Sequence, residues 1–306
     1  MTEIRTVATD LQFPEGPIAM ADGSVVLVEI ARGTLTRVSA DGVVSVIADL
    51  GGGPNGAAIG PDGKCYVTNN GGCFEFEDVM GMAIPGPVPP DWTGGSIQRV
   101  DLATGEFETL YTASSSGPLR APNDLVFDAH GGFWFTDHGV RLDRSSDRTG
   151  LHYALPDGSS CVEVVHPLDS PNGIGLSPDG SRLYAAETHA GRVWAWNVTG
   201  PGQVDASNPI GSGGGELLHG AGGMVLFDSL AVDGDGWVCV GTLGDGGITS
   251  VSPDGAQVEH TSMPDLLVTN ICFAGAEPRA FCTLSGTGQL IEVAWPRPGL
   301  ELAYSA

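Results

Sequence analysis

A short motif recurs six times along this 306-residue chain, and this repetition constrains the fold more than any other feature. Each copy opens with residues such as Pro-Asn-Gly and continues into an apolar strand and a glycine turn. The copies begin at Phe13, Gly53, Ala121, Ser170, Leu226 and Val268. Self-similarity at a period of tens of residues indicates a repeat architecture in which every copy forms the same small unit.

The content of each copy predicts four short strands. In the first copy, turns at Asp22-Gly23 and Asp41-Gly42 separate apolar segments, and later copies have the same plan. The copies begin 40 to 68 residues apart, near the length of a propeller blade with insertions. We therefore predict an all-β, six-bladed β-propeller with four antiparallel strands per blade, forming a single domain over residues 1–306.

The N-terminal segment has no copy of its own to join. Residues 3–11 alternate in polarity like an outer strand, and we expect them to complete the last blade and close the ring, which removes exposed sheet edges.

The composition restricts the partners. The formal net charge is −24 and Lys64 is the only lysine, so nucleic acid is not an expected partner. No apolar run approaches the ~18 residues of a membrane span, and Met1 to Arg5 lack the start of a signal peptide. We expect a cytoplasmic protein that binds no membrane. The oligomeric state stays open.

The third residue of every copy carries a side-chain oxygen. These residues are Glu15, Asn55, Asn123, Asn172, Asp228 and Asn270. Six inner strands around one axis would aim these oxygens at a common point at the top of the channel. Two carboxylates with several amides suit a hard divalent cation such as Ca²⁺. The alternative is that they only satisfy turn backbone groups.

A second set of polar residues ends the next strand of each copy. Its members are Glu29, Asn69, Asp137, Glu187 and Thr242, which we expect just outside the first ring. His138, beside Asp137, is a candidate base or substrate hydrogen-bond donor, or else an ordinary loop histidine. Arg120 could bind an anionic or carbonyl oxygen, or could be a surface arginine.

The second copy carries an insertion at residues 71–95, which contains several apolar residues, three closely spaced prolines at 87, 89 and 90, and Trp92. Its place between the second and third strands predicts that it overhangs the top of the channel as a lid or pocket wall. The alternative is a surface loop without a ligand role. Beside Arg120 and Trp92, the candidate substrate-binding residues are Asn55, Asn69, Glu187 and Asn270.

Several motifs together resemble the regucalcin/gluconolactonase family, also called the senescence marker protein family, and in particular its bacterial lactonases. Diisopropyl fluorophosphatase and the paraoxonases are more distantly similar. The motifs are Phe-Pro-Glu-Gly-Pro at 13–17, Pro-Asn-Asp at 122–124, Phe-Thr-Asp at 135–137, Ser-Pro-Asn-Gly at 170–173 and Asp-Ser at 228–229.

The resemblance implies a propeller with a catalytic divalent metal, usually calcium, which Zn²⁺, Mn²⁺ or Mg²⁺ could replace. The implied metal ligands are Glu15, Asn123, Asn172 and Asp228. It also implies hydrolysis of lactones or related esters, with Asp228 as both ligand and candidate base and with Asp137 and His138 as further candidates for the base.

One position departs from the family pattern. Regucalcin-type sugar lactonases carry a substrate-binding arginine two residues before the asparagine of the third repeat, where this chain has Ala121 and displaces Arg120 by one. With the apolar lid, this makes a less polar lactone or ester as plausible as a sugar lactone. A phosphotriesterase-like hydrolase with the same metal site, and a metal-stabilised binding propeller without turnover, stay open as alternatives.

Overall fold

The computed structural model describes residues 4–305. It shows six antiparallel sheets, each built on a four-stranded plan, arranged as the blades of a β-propeller. The first strand of each blade contacts the first strands of both neighbouring blades, so these six inner strands form a closed ring around a central channel. The predicted fold is confirmed. We call the end of the channel where the inner strands begin the top.

The N-terminal strand is β1 (Ile4–Ala8), and blades one to three follow it. Short hairpins, with strands of four or two residues, are inserted in blade two, before blade three and in blade three. Blade one is β2 (Pro14–Ala19), β3 (Val25–Glu29), β4 (Thr34–Val38) and β5 (Val44–Asp49). Blade two is β6 (Pro54–Ile59), β7 (Cys65–Asn69), the hairpin β8 (Phe76–Val79) and β9 (Met82–Pro85), β10 (Ser96–Val100) and β11 (Phe107–Tyr111). Blade three is preceded by β12 (Ala113–Ser114) and β13 (Gly117–Pro118), and it comprises β14 (Pro122–Phe127), β15 (Phe133–Asp137), the hairpin β16 (Arg141–Leu142) and β17 (Ser145–Ser146), β18 (Thr149–Ala154) and β19 (Cys161–Leu168).

Blades four to six complete the ring, and in blade four two short strands share the outer position. Blade four is β20 (Pro171–Leu176), β21 (Arg182–Glu187), β22 (Arg192–Gly200), β23 (Gln203–Asp205), a 3₁₀ turn (Ser212–Gly214) and β24 (Glu216–Gly220). Blade five is β25 (Leu226–Val232), β26 (Val238–Leu243), β27 (Gly247–Val251) and β28 (Val258–Ser262). Blade six begins with β29 (Val268–Phe273), β30 (Arg279–Leu284) and β31 (Gln289–Ala294).

The first strand of the chain supplies the outer strand of the last blade. β1 pairs antiparallel with β31, with Ile4 opposite Val293. This strand exchange joins the two ends of the chain in one sheet, as the sequence predicts, and it pairs an edge of β31 that would otherwise face solvent.

The hydrophobic core is divided into six wedges, one between each pair of adjacent blades. For example, Val28 and Leu35 of blade one pack with Val67 of blade two, and Phe127 and Phe135 of blade three pack with Tyr66 of blade two. Each blade therefore needs both neighbours to bury its two faces, which is why the ring folds as a unit. Within residues 4–305, helical structure long and apolar enough to traverse a lipid bilayer is absent.

The insertion at residues 71–95 lies on the top side. The amide of Ala83 donates to the carbonyl of Gly286 in blade six at 2.9 Å. The ring of Phe76 packs 4.9 Å from that of Phe13, which immediately precedes β2. The hairpin therefore extends from blade two over blade one to blade six, beside the ends of the inner strands.

Candidate functional site

All six inner strands have a break in register at or beside the third motif residue. In β2 the pairing with β3 shifts between Glu15 and Ile18, and in β14 the pairing with β15 shifts between Pro122 and Leu125. The other four inner strands have equivalent breaks. A bulge of this kind releases backbone groups from the ladder and redirects a side chain, and bulges are frequent beside active sites. Here each bulge lies at or beside the third motif residue, which we call the ring residue of that strand.

Glycine beside the ring residue lets neighbouring inner strands approach closely. A Cβ on Gly56 would lie 2.6 Å from the carbonyl oxygen of Asn123 in the next blade, and one on Gly16 would lie 2.8 Å from the amide of Ala57. Gly16 also has a φ of 52°, which a side chain would strain. The glycine of the motif is therefore required where neighbouring inner strands approach each other so closely.

Two of the proposed metal ligands carry buried oxygens without a partner. Glu15 accepts hydrogen bonds on Oε2 from Asn270 Nδ2 at 2.7 Å and from the Gly16 amide at 2.6 Å. Its Oε1, and the Oδ1 of Asn123, are buried and have no hydrogen-bond partner among the described residues. Leaving such atoms unpaired is costly unless another group binds them.

The other two proposed ligands lie beside them. Ser229, which follows Asp228, donates from Oγ to Oδ1 of Asn172 at 3.3 Å, and Asn172 Nδ2 donates to Thr188 Oγ1 at 3.1 Å. Burial first, and then the nearby charge of Glu15, raise the pKa of Asp228, whereas a hydrogen bond from Asn172 lowers it. Glu15, Asn172 and Asp228 thus form one electrostatic group.

Asp124 belongs to this group, although the sequence reasoning did not single it out. It is buried, and burial and the charge of Glu15 raise its pKa to about 8. Its carboxylate accepts backbone hydrogen bonds from Leu125 at 2.9 Å and Ile174 at 3.2 Å. The sequence did carry a sign of this role: three other copies have glycine directly after the ring residue, whereas the third copy has a carboxylate there.

The donor set fits a hard divalent cation. Among residues 4–305, no three or more His, Cys, Asp or Glu side chains are grouped so that they could hold a metal. The ring instead combines two carboxylates with neutral amide oxygens, which is the mixed oxygen set that Ca²⁺ accepts. Among the described residues, Oε1 of Glu15 and Oδ1 of Asn123 have no hydrogen-bond partner, and the pKa of Asp228 is raised; a bound cation would pair with these oxygens and stabilise the charged carboxylate.

The second set of polar residues has a different environment. We call Glu29, Asn69, Asp137 and Glu187 the outer set; each accepts a hydrogen bond from the backbone just before the inner strand of its own blade. These bonds run from Gln12 to Glu29 at 2.7 Å, from Gly53 to Asn69 at 2.9 Å, from Arg120 and Ala121 to Asp137 at 2.7 Å each, and from Asp169 to Glu187 at 2.8 Å.

The remaining polar atoms of the outer set are also occupied. Asp137 accepts a further bond from the Gly139 amide at 3.2 Å, and Glu187 accepts one from the indole of Trp194 at 2.7 Å. Asn69 Nδ2 donates to the Gly51 carbonyl at 2.9 Å. In this geometry Asp137, Asn69 and Glu187 hold the backbone before the inner strands. Their predicted catalytic and substrate-binding roles stay predictions.

Two histidines lie together at the top of blades three and four. The rings of His138 and His189 are 6.0 Å apart. Nδ1 of His138 lies 3.0 Å from the carbonyl oxygen of Gly139, so this nitrogen carries the proton and Nε2 keeps its lone pair. Burial lowers the pKa of both rings, that of His189 to about 4. The sequence reasoning missed His189, which follows Thr188, a contact of Asn172.

The structure also gives the positions of the four remaining substrate-binding candidates. Arg120 bonds through Nε to Asp147 at 2.9 Å, and its guanidinium lies 4.6 Å from the ring centre of Trp92, whose indole donates to the Asn70 carbonyl at 2.8 Å. Arg120 therefore joins the lid to blade three. Asn270 orients Glu15, and Asn55 is buried in the second inner strand.

The family model for the SMP-30/Gluconolactonase/LRE-like region matches residues 13–286. The chain belongs to this family. The match extends from the first ring motif through the second strand of blade six, and it confirms the resemblance that the sequence motifs indicate.

Relatives of known identity cover much of the chain. A gluconolactonase from Zymomonas mobilis is 25% identical over 309 residues, covering 93% of this chain and 79% of the relative. The lactonase drp35 of Staphylococcus saprophyticus is 27% identical over 252 residues, covering 82% and 69%. The diisopropyl-fluorophosphatase of Loligo vulgaris is 25% identical over 207 residues, covering 64% of each chain.

Solved structures support the same fold. A gluconolactonase from Xanthomonas campestris superposes with a TM-score of 0.72 at 24% identity, covering 96% of this chain and 90% of the other. A calcium-binding regucalcin from Agrobacterium tumefaciens superposes with a TM-score of 0.73 at 19% identity, covering 98% of both.

Proposed function

We propose that this protein is a metal-dependent hydrolase that opens the ring of a lactone, or cleaves a related ester, with a divalent cation at the top of its propeller channel. Two observations carry the proposal. Among the described residues, Glu15 and Asn123 on the inner strands each have a buried oxygen without a hydrogen-bond partner, and Glu15 lies close enough to Asp228 for its charge to raise the pKa of that carboxyl. Similar proteins named gluconolactonase and lactonase support the reaction class.

The proposed metal ligands are Glu15, Asn123, Asn172 and Asp228. Calcium is our first choice because the four side chains offer only oxygen, and the similar regucalcin is named as calcium-binding. Zn²⁺, Mn²⁺ or Mg²⁺ could replace it. When bound, the cation would polarise the substrate carbonyl and stabilise the negative charge that develops on it.

The chain itself must supply the proton transfer. Asp228 is one candidate base, since its carboxylate lies near that of Glu15 and has a raised pKa. His138 is the other, because its neutral ring keeps a free lone pair on Nε2. Asp137 is a weaker candidate, because its two oxygens accept bonds from Arg120, Ala121 and Gly139.

The substrate we expect is a small lactone with a substantial apolar part. The lid packs Phe74 and Trp92 against the buried residues Cys73 and Ala121 at the top of the protein. Arg120, which could have bound a polar substrate group, is occupied by Asp147. Both features favour an apolar substituent over a polyhydroxylated sugar.

The proposal is tested by metal analysis together with a substrate panel. The panel contains gluconolactone, an alkyl-substituted γ-lactone, an aryl ester and a phosphotriester, each assayed after chelation and after addition of Ca²⁺, Zn²⁺, Mn²⁺ or Mg²⁺. We expect calcium-restored lactone hydrolysis, with the alkyl lactone preferred. Lactone hydrolysis that a chelator leaves unchanged would contradict the role of the metal.

The similarity to diisopropyl-fluorophosphatase supports a second candidate activity, the hydrolysis of a phosphorus ester at the same cation. The phosphotriester arm of the panel distinguishes it. Turnover of the phosphotriester alone would replace the lactonase proposal. If chelation lowers the melting temperature and no substrate is turned over, the cation instead stabilises a binding protein.

A further inference from the structure

The bulges in the inner strands free backbone N–H groups that need new partners. In blade two, the amide of Gly56 lies within the break and donates to Thr68 Oγ1 at 2.8 Å. In blade three, the amide of Asp124 donates to Thr136 Oγ1 at 3.1 Å. Both threonines are fully buried on the second strand of their blade. Each hydroxyl thus replaces a lost ladder partner.

The same hydroxyls also reach the next blade. Thr68 donates to the backbone carbonyl of Asn123 at 2.5 Å, and Thr136 donates to that of Asn172 at 2.6 Å. A hydroxyl can accept and donate at once, so each threonine connects the bulge of one blade to the ring residue of the following blade. Both carbonyls belong to proposed metal ligands.

A hydroxyl also holds the backbone next to a third ligand. Ser285 of blade six donates to the carbonyl of Pro14 at 2.5 Å, one residue before Glu15. In blades one, four and five, the position that corresponds to Thr68 is Val28, Ala186 and Gly241, without a hydroxyl. Blades one and five are followed by Asn55 and Asn270, which are not proposed metal ligands, whereas blade four is followed by Asp228, which is. The threonine bridge is therefore specific to the two asparagine ligands.

We propose that Thr68 and Thr136 are positioning residues for the cation, which set the location of Asn123 and Asn172 through their backbone carbonyls. This inference rests on the proposed metal site. The side-chain oxygen of each asparagine can reach the axis only if its backbone is held at a fixed distance from the preceding blade. Partners that orient metal ligands typically change metal affinity 10–100-fold when they are removed.

Replacement by valine tests the inference, because valine keeps the shape of threonine and removes both hydrogen bonds. In Thr68→Val, we expect the dissociation constant for Ca²⁺, measured by calorimetry on the chelated full-length protein, to increase on the order of tenfold. Thr68→Ser restores the hydroxyl and should bind calcium like the wild type. Thr136→Val should repeat the effect through Asn172.

The matched control is Thr249→Val in blade five. Thr249 is buried and its hydroxyl bonds to that of Thr242 at 2.8 Å, without contact to a proposed ligand. It should lower the melting temperature without changing calcium affinity, which separates positioning from general stability. If Thr68→Val does not fold, Thr136→Val carries the same comparison.

The outcomes distinguish this inference from the proposed function. Unchanged calcium affinity in the folded valine variants would overturn the positioning role and leave the metal site intact. An equal loss of affinity in Thr249→Val would also overturn it. A wild-type protein that binds none of Ca²⁺, Zn²⁺, Mn²⁺ and Mg²⁺ would overturn both proposals.

Discussion

The ring of proposed ligands and the outer set contain the same kinds of residue but use them in opposite ways. Glu29 and Asp137 of the outer set accept several hydrogen bonds from nearby donors. Glu15 and Asn123 of the ring each keep a buried oxygen that no group within residues 4–305 hydrogen-bonds. The two sets lie at the same end of the blades, on adjacent strands.

This difference shows that a binding site is distinguished from a structural one by whether its side-chain oxygens are free to bind a ligand, rather than by residue type. A carboxylate saturated by N–H groups has no lone pair directed at a ligand, and it stabilises the loop that surrounds it. A carboxylate left unpaired at a closed axis is stable only with a cation or with a proton. The following predictions test this contrast.

The largest effect is expected for Glu15→Gln against Glu29→Gln. The first change removes a negative charge from the ring, and calcium affinity and hydrolysis should both fall by about 100-fold or more, since the cation loses one of two carboxylates. The second change removes an ion pair with Arg32 and should leave calcium affinity unchanged. Calorimetry and steady-state kinetics measure both quantities.

The same two variants can refute the contrast between the ring and the outer set. If Glu29→Gln weakens calcium as strongly as Glu15→Gln does, the outer set also contributes to the cation site. Glu29→Gln should instead lower the free energy of unfolding by about 1–3 kcal/mol, because its oxygens accept bonds from Gln12 and Thr36.

A second contrast compares Asp228→Asn with Asp137→Asn. Asp228→Asn should lower kcat by at least about 100-fold, within the 10²–10⁴ range of a general base. Asp137→Asn places an NH₂ group against backbone donors and should lower stability by about 2 kcal/mol while kcat is retained. A fully active Asp228→Asn variant would refute the proposed chemistry, and pH–rate profiles with His138→Ala would identify the base.

The pH dependence of stability without calcium sharpens the contrast further. Burial raises the pKa of Glu15, Asp124 and Asp228 in the folded state, that of Asp124 to about 8. The folded protein therefore holds more protons than the unfolded chain above about pH 4, and its stability should fall as the pH rises from about 5 to 8. Saturating calcium should reduce this decline. Thermal denaturation with and without chelator measures it, and equal slopes would contradict the ring assignment.

The smallest effect is expected for Arg120→Ala, which removes both the stacking on Trp92 of the lid and the ion pair with Asp147. Hydrogen exchange in residues 71–95 should become faster and KM should rise a few-fold, because an exposed ion pair of this kind contributes about 1 kcal/mol or less. The kcat value should not change. A large fall in kcat would mean that Arg120 contacts the reacting group.

The repeated motifs were sufficient to predict the blades, the closing strand and the ring of inner strands, because each depends on periodicity. The same register that aligned Glu15 with Asn123 also aligned Glu29 with Asp137. The sequence could not show which of these oxygens already have backbone donors, since Gln12 and Ala121 approach them only after the loops fold.

Other features were outside the reach of a motif. Asp124 becomes part of the charged group because the strands bring it near Glu15, more than one hundred residues away in sequence. Arg120 could be identified as a substrate contact or a surface residue from its position, but its stacking on Trp92 depends on how the insertion folds back. The bulges depend on how neighbouring strands pair.

The pairing of β1 with β31 has a consequence for biosynthesis. During synthesis the first strand leaves the ribosome long before the last blade is made. It therefore has no pairing partner until β31 has been synthesised. Glu15 and Asp228 come together only when the circle is complete. A cation at the proposed site would therefore bind the finished molecule and none of its nascent forms, and a truncated product would have no means of retaining it.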